Sequence, residues 1–457
     1  ETPVALNSSG RAGSGANADE LRSAGLTEIP QRHPAAVTVP GCVDGWLALH
    51  ARWGSLEFGN LLEPAIRHAA QGFPANREMA GAFAGRADEL LAEPSAADMY
   101  IAGRPPIEGT RIIRSDLAET LRAIGAGGRA AFYSGRVGEA VSAAVDGMIT
   151  LDDLAAVQAE WVDPVAVEVF GRTGWTVPPN SQGYISLLAL AVLERLGMGD
   201  PDDPLAWHFA VEAYRQAAAD RNLVLADPSS MTVDPIDLVS PDRIAALTDR
   251  IDADAVSPVA PPADASGGTA YMCVVDEAGM GVSLIQSNFY GIGSGRSVTG
   301  TGFLLHDRGR GFNLRPDHPN ELKSGKRPLH TLSPTIWTHD GRLDAVLGTR
   351  GGHNQPQLVV QLAAAVIGRD IEPGPAMALS RWAAEVPLRG DTESRLDVEP
   401  GTSREVVEGL ERRGHTVTEM DHPQSGWGPM SLITLAPSGL RIGAADPRVD
   451  TAAAAAG

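Results

Sequence analysis

The stretch "ADASGGTAYMCVVDEAG", residues 263–279, decides how this chain is read. Two glycines run straight into Thr269, and a compact apolar run follows. Two readings fit. In one, Thr269 is an ordinary strand residue after a Gly-rich turn. In the other, a cut between Gly268 and Thr269 exposes the threonine as a new N-terminus. A Thr hydroxyl is a weak nucleophile at neutral pH and needs an adjacent base. An N-terminal Thr carries that base itself, because an unperturbed α-amine titrates near pH ~8. The second reading asks for a loose segment before the cut and a rigid strand after it. "SPVAPPADASGG" followed by "TAYMCVVD" has that layout. Taken alone, Gly-Gly-Thr before a strand is usually just a turn, so the surroundings must decide.

The chain has 457 residues, 43% of them hydrophobic, enough for a large core in two or three domains or one large layered fold. A net charge of −20 argues against nucleic acid and anionic membrane surfaces, which require basic patches. Two cysteines, Cys42 and Cys273, offer neither a disulfide framework nor metal-ligand spacing. They read as buried small hydrophobes in a reducing compartment, which predicts a cytoplasmic protein. No window approaches the ~18 consecutive apolar residues of a membrane-spanning helix, and "ETPVALNSSG" does not read as a signal peptide. The chain does not open on Met, so the native start is expected upstream. The eleven His are scattered without ligand spacing, so no metal and no cofactor are predicted. "KSGKR" is not a P-loop, "GIGSGR" is not followed by a helix in a βαβ unit, and no G-x-S-x-G elbow occurs.

Residues 1–40 read as loop with one short helix at "NADELRSAG". "FGNLLEPAIRHAAQGF" places Leu61, Leu62, Ala65, Ile66 and Ala69 on one helix face, stopped by Gly72. "RSDLAETLRAIGAGG" predicts a helix capped by Ser115 and closed at Gly125. "VDPVAVEVFGRTGWTVPPN" reads as a hairpin, followed by helices in "YISLLALAVLERLG" and "LAWHFAVEAYRQAAADRNLV". Residues 226–268, rich in Asp, Pro, Ser and Ala, read as an exposed, mobile segment and the best boundary. Beyond it, "TAYMCVVD" and "MGVSLIQSN" form a hairpin, and "GTGFLLHD", "SPTIWTHDG" and "LDAVLGT" are strand-like. "LITLAPSGLRIGAAD" is a late hairpin. Helices in the first half and strands in the second predict an α+β fold.

A second chemical feature is "LGTRGGHNQPQLVV", where Gly351 and Gly352 lie between a strand and a helix. Backbone N–H groups at such a junction can hold an oxyanion. A tight turn that needs positive φ is the other reading.

Together these blocks resemble the γ-glutamyltranspeptidase family of N-terminal nucleophile hydrolases. The likeness runs in the family's order through "VPGCVDGWLALHARWG", "LLEPAIRHAAQGF", "PPNSQGYISLLAL", "AYRQAAADRNLVLADP", "GGTAYMCVVDEAG", "VTGTGFLLHD", "GKRPLHTLSPTI", the glycine pair at 351–352 and "AADPR". The resemblance implies a four-layer αββα sandwich and self-cleavage between Gly268 and Thr269. Residues 1–268 would then be the large subunit, apparently without the family's N-terminal part, and 269–457 the small one, the two staying paired. It also implies Thr269 as nucleophile, Ser287 as its orienting hydroxyl, and the amides of Gly351 and Gly352 as oxyanion donors. The family's glutamate clamp is largely rewritten. Ser9 stands where the clamp arginine is expected, with Arg11 two residues on; Phe289, with Asn288 beside it, replaces an Asn. Gly311, after Arg310, replaces an acidic residue that holds the donor's α-amine, and His330 and Thr331 replace a Ser pair. Arg11 is the best carboxylate anchor, and His353 and Asn354 are further pocket candidates.

The predicted function is hydrolysis or acyl transfer through an acyl-enzyme, on a γ-glutamyl or related amide. The donor is a small molecule and the acceptor water or an amine; a homo-oligomer is left open. Two alternatives stand beside it. One is a family homologue in antibiotic or other specialised metabolism that cleaves a non-glutamyl amide or a C–C bond. The other is a non-catalytic, unprocessed homologue.

Overall fold

The computed structural model describes residues 2–94, 96, 99–259, 268–385 and 393–455. They form two compact units. One comprises Leu6–Trp161 and Asn288–Pro328; the other comprises Glu1–Ala5, Val162–Ser287 and Leu329–Gly457.

The first unit is mainly helical, with α1 (Cys42–Trp53), α2 (Phe58–Gln71), α3 (Ser115–Tyr133) and α4 (Gly135–Ala144). Its core gathers Val37, Val43, Ile124, Phe132, Val137 and Val141. Helix α2 ends where expected, at Gly72 with φ +94°. Of its predicted apolar face, Ile66 and Ala69 are buried while Leu61 is exposed. Helix α3 does not stop at Gly125. A side chain there would press within 3.2 Å of the Gly59 Cα, so Gly125 serves close packing against α2 rather than termination. The break comes at Gly128, where φ is +57° and the helix kinks.

The second unit is built on a six-stranded antiparallel sheet. Its strands are β1 (Val165–Val169), β2 (Arg172–Thr176), β5 (Thr335–His339), β6 (Arg342–Thr349), β10 (Met430–Leu435) and β11 (Arg441–Ala445). A hairpin, β3 (Gly268–Val275) and β4 (Gly281–Phe289), forms a separate two-stranded sheet. The strands β7 (Trp382–Ala384), β8 (Ser394–Val398) and β9 (His415–Glu419) make a third sheet. The large sheet runs β11–β10–β6–β5–β2–β1. Thus β2, from before residue 268, pairs directly with β5, from after it.

One face of this sheet carries α5 (Tyr184–Leu196) and α9 (Gln355–Ala363), with α6 (Pro204–Ala218) and α8 (Pro241–Thr248) packed on α5 and α7 (Arg221–Val224) after α6. Residues Tyr184 to Leu193 of α5 are all buried, as expected of a helix apolar on every side. Leu187, Leu190, Trp337, Leu347 and Leu358 share its core. The other face of the sheet is covered by β3–β4, which packs on β6 and β10. The layering is therefore helix, sheet, sheet.

Three expectations need correction. Residues 226–248 are not one exposed loop: two 3-10 turns (Pro228–Ser230, Pro235–Val239) and α8 occupy most of them, with Leu238 and Leu247 buried, while residues 252–255 are exposed as expected. The residues that suggested a loop are caps, since Asp227, Asp234 and Ser240 each cap a turn or helix whose next residue is Pro. Residues 260–267 lie outside the described residues. "GTGFLLHD" yields only a two-residue strand, Phe303–Leu304. Neither cysteine is buried: Cys42 is exposed and Cys273 partly so.

Candidate active site

Gly268 and Thr269 open β3, and Thr269 is only 8% exposed. Its Oγ1 lies 3.0 Å from Ser287 Oγ on β4. Two residues along, on the same side of the strand, the Tyr271 hydroxyl lies 3.0 Å from Ser283 Oγ. The Tyr271 ring sits on Gly348 of β6, where a Cβ would meet it at 2.5 Å. Burial pushes its phenol well above the ordinary range, so Tyr271 is no base at neutral pH. At the other end of the hairpin, Gly281 sits against Leu343 and Val346 of the same strand. The two contacts fix the direction: the Thr269 end of β3 lies toward the C-terminal end of β6, which leads into Gly351 and Gly352.

Those glycines have φ of +127° and +57°. Gly351 is pressed against the chain: a Cβ there would lie 2.1 Å from the Trp427 carbonyl oxygen, and one on Gly428 would lie 1.8 Å from that of Arg350. Only glycine fits this crossing. A 3-10 turn, Gly352–Asn354, then leads into α9. The amides of Gly351 and Gly352 have no hydrogen-bond acceptor among the described residues, so they can serve an oxyanion.

Behind the turn lies a buried polar network. Gln182 Nε2 donates to the carbonyls of Thr331 (3.0 Å) and Gly352 (3.1 Å). Arg221 Nη1, on α7, donates to Gln182 Oε1 (2.9 Å) and lies 2.7 Å from His353 Nδ1. The Gln182 N–H donates to the His330 carbonyl (2.9 Å), and the His330 N–H to that of Asn180 (2.8 Å). Asn354 Oδ1 accepts from Gln357 Nε2 at 3.0 Å. The second unit therefore brings His330, Thr331, Gly352 and His353 into one network, and holds Thr269 and Ser287 as a hydrogen-bonded pair. Sequence reading missed Gln182 and Arg221. Both lie in the blocks "PPNSQGYISLLAL" and "AYRQAAADRNLVLADP", yet no spacing rule joins positions 182, 221 and 353.

The remaining candidates belong to the helical unit. Arg11 Nη2 pairs with Glu160 at 3.2 Å, and Arg327 Nη1 shares that carboxylate at 2.6 Å. Asn288 is exposed, and its carbonyl accepts from the Asp307 N–H at 3.1 Å. Phe289 is buried, with φ +74°, beneath the Arg308 guanidinium at 3.9 Å. Burial pushes the neighbouring Asp307 carboxyl up to about 6, against the pull of the Tyr290 N–H and of Arg310 and Arg308.

A threonine opening an inner strand, a layered helix–sheet–sheet core and a glycine turn at the end of the adjoining strand define a hydrolase of the N-terminal nucleophile type. Residues 1–456 match the family described as gamma-glutamyltranspeptidase, and the chain belongs to it. It is 34% identical to the oxamate amidohydrolase proenzyme of Klebsiella pneumoniae, covering 99% of this chain and 87% of that protein. It is 32% identical to the glutathione hydrolase-like YwrD proenzyme of Bacillus subtilis, covering 98% and 86%. A cephalosporin acylase from Bacillus halodurans superposes with a TM-score of 0.90 at 30% identity, covering 98% of this chain and 83% of that one. The protein is thus an enzyme, an autoprocessed amide hydrolase or acyltransferase of two subunits; the C–C-cleaving and non-catalytic readings gain no support over this one. Among the described residues, no helix is long and apolar enough to cross a membrane.

Proposed function

We propose that this enzyme cuts its own chain between Gly268 and Thr269 and then hydrolyses an amide whose acyl group carries a carboxylate but no α-ammonium. The observation that supports the chemistry most is the Thr269–Ser287 hydroxyl pair at 3.0 Å, at the start of a strand that runs beside the oxyanion turn. Thr269 Oγ1 attacks the carbonyl carbon and its freed α-amine takes the proton. Ser287 orients the hydroxyl, and the amides of Gly351 and Gly352 hold the oxyanion. Collapse expels the amine, and water or another amine resolves the ester. The products 1–268 and 269–457 stay together because β2 and β5 are partners in one sheet.

The altered clamp supports the substrate class. Gly311 stands where the family places a carboxylate for the donor's ammonium, with Arg310 beside it. A desolvated ammonium without its partner costs about 2–5 kcal/mol. By the resemblance Arg11 stands nearest the family's clamp arginine, and a guanidinium can grip a carboxylate at two points. The relative named for oxamate, a carboxylate-bearing amide without an ammonium, points the same way.

The test compares γ-glutamyl-p-nitroanilide, glutaryl-p-nitroanilide and oxamate. The two donors without ammonium are expected to be turned over with kcat/KM at least about 30-fold above the γ-glutamyl compound, the equivalent of ~2 kcal/mol. A preference for γ-glutamyl refutes the substrate class. Thr269→Ala should remain one band near 47.8 kDa on a denaturing gel; a cut at the same bond refutes self-cleavage.

A further inference from the structure

Two adjacent glycines at positive φ are the least restrained pair of residues a chain can offer, yet an oxyanion hole works only if its donors are fixed before the charge develops. Something must hold this turn. On one side, the close crossing of Gly351 with Trp427 and Gly428 does so. On the other, the Gly352 carbonyl accepts from the Gln355 N–H inside the 3-10 turn and from the Gln182 side chain, the one tie that anchors it to a distant part of the chain in these contacts.

Gln182 is fully buried, and each of its polar atoms has a defined duty. Its Nε2 donates to the Thr331 and Gly352 carbonyls, and its Oε1 accepts from Arg221. A guanidinium only donates, so the amide cannot be turned round without placing N–H against N–H and oxygen against two carbonyls. The same logic applies to His353. Arg221 Nη1 faces its Nδ1 at 2.7 Å, so that nitrogen carries the lone pair and the ring proton sits on Nε2. Arg221 is 2% exposed and joins Gln182 and His353 through one nitrogen. One guanidinium thereby fixes the side chain that pins the Gly352 carbonyl and the side chain of the very next residue.

We propose that Gln182 and Arg221 are positioning residues for the Gly351–Gly352 oxyanion turn. They act on rate by holding the two amides, and touch no reacting atom. This rests on the reading that those amides receive the oxyanion. Misplacement of a catalytic donor by about 1 Å costs ~100-fold in rate, so loosening this support should lower kcat by about 10–100-fold. KM should stay within ~3-fold, because the turn is used in the transition state and not in ground-state binding.

Two variants test it. Gln182→Glu keeps size and the bond to Arg221 but replaces the two donors with a carboxylate oxygen that repels the Gly352 and Thr331 carbonyls. Arg221→Met keeps much of the length but removes the nitrogen that donates to Gln182 and faces His353 Nδ1. Each self-cleaved variant is assayed with glutaryl-p-nitroanilide and oxamate, and backbone exchange of the peptide spanning 350–357 is followed by mass spectrometry. The expected result is a kcat loss of 10-fold or more at near-constant KM in both, with faster exchange of that peptide and unchanged exchange in the α2–α3 region. A kcat within 3-fold of wild type, a loss that falls on KM alone, or unchanged exchange at 350–357 overturns the proposal. The exchange readout needs no turnover. If wild type fails to process either probe while the variants still loosen the peptide, the functional reading fails and the positioning role stands.

Discussion

Gly351 offers a quantitative test of the oxyanion turn. Replacing it by alanine puts a Cβ 2.1 Å from the Trp427 carbonyl oxygen, 3.1 Å from its carbon and 3.3 Å from the Gly428 Cα. All three are backbone atoms, so no rotamer change relieves the contact. To restore a tolerable separation of 3.0 Å or more, the turn or the 427–428 segment must move by about 1 Å. The residue also sits at φ +127°, ψ 14°, a conformation that costs an L residue ~1–3 kcal/mol. A 1 Å shift of a donor is worth ~100-fold in rate, or ~2.7 kcal/mol of transition-state stabilisation. Gly351→Ala should therefore lose about 100-fold in kcat on glutaryl-p-nitroanilide, with KM much less affected, and a thermal midpoint lowered by a few degrees. Gly81→Ala, in the helix Arg77–Gly85, is the control: its Cβ meets nothing within 4 Å, so both rate and midpoint should hold or improve slightly. Should Gly351→Ala keep kcat within a factor of three while folding normally, the turn does not hold the oxyanion and the mechanism is wrong.

Ser287→Ala removes a neutral hydrogen bond of 3.0 Å to Thr269, the proposed nucleophile, and should lower kcat about 2–10-fold, the equivalent of ~0.5–1.5 kcal/mol; an unchanged rate would strip Ser287 of its orienting role. In the helical unit, burial pushes the Asp307 carboxyl up to about 6. An acid with a raised folded pKa binds more protons folded than unfolded, so its contribution to stability falls as pH rises from about 4 through about 6. Asp307→Asn, which keeps an acceptor for the Tyr290 N–H at 2.9 Å, should stabilise the protein at pH 7.5 by up to ~3 kcal/mol. The advantage should vanish below pH ~4, and thermal melts across that range would expose a wrong sign.

Local rules served the sequence reading where a residue's task is local. The β3–β4 and β1–β2 hairpins and the buried α5 follow from alternation, turn chemistry and an unbroken apolar run, although the β1–β2 turn falls at Phe170–Gly171 and not at Gly171–Gly174. The same rules failed where a residue's task is set by a distant partner. Gly125 looks like a helix stop, but α2 needs it bare for contact with Gly59. The Asp-Pro and Ser-Pro pairs between 227 and 241 look like loop, yet they start turns and a helix that bury Leu238 and Leu247.

The chemistry divides in the same way. Contiguous patterns made Thr269 after Gly-Gly and the glycine pair at 351–352 candidates beside the plain-turn reading, and the resemblance to the family chose between the readings and marked the rewritten clamp. The sequence could not say that Gln182, Arg221 and His353 meet, for they are separated by 39 and 132 residues and joined only by hydrogen bonds across the fold. Nor could it say that Arg11 rests on Glu160, or that the Thr269 end of β3 lies toward the Gly351 end of β6. Periodicity and turn signals report the few residues beside each position. Which carbonyl a buried amide must satisfy is decided by the chain that packing brings against it.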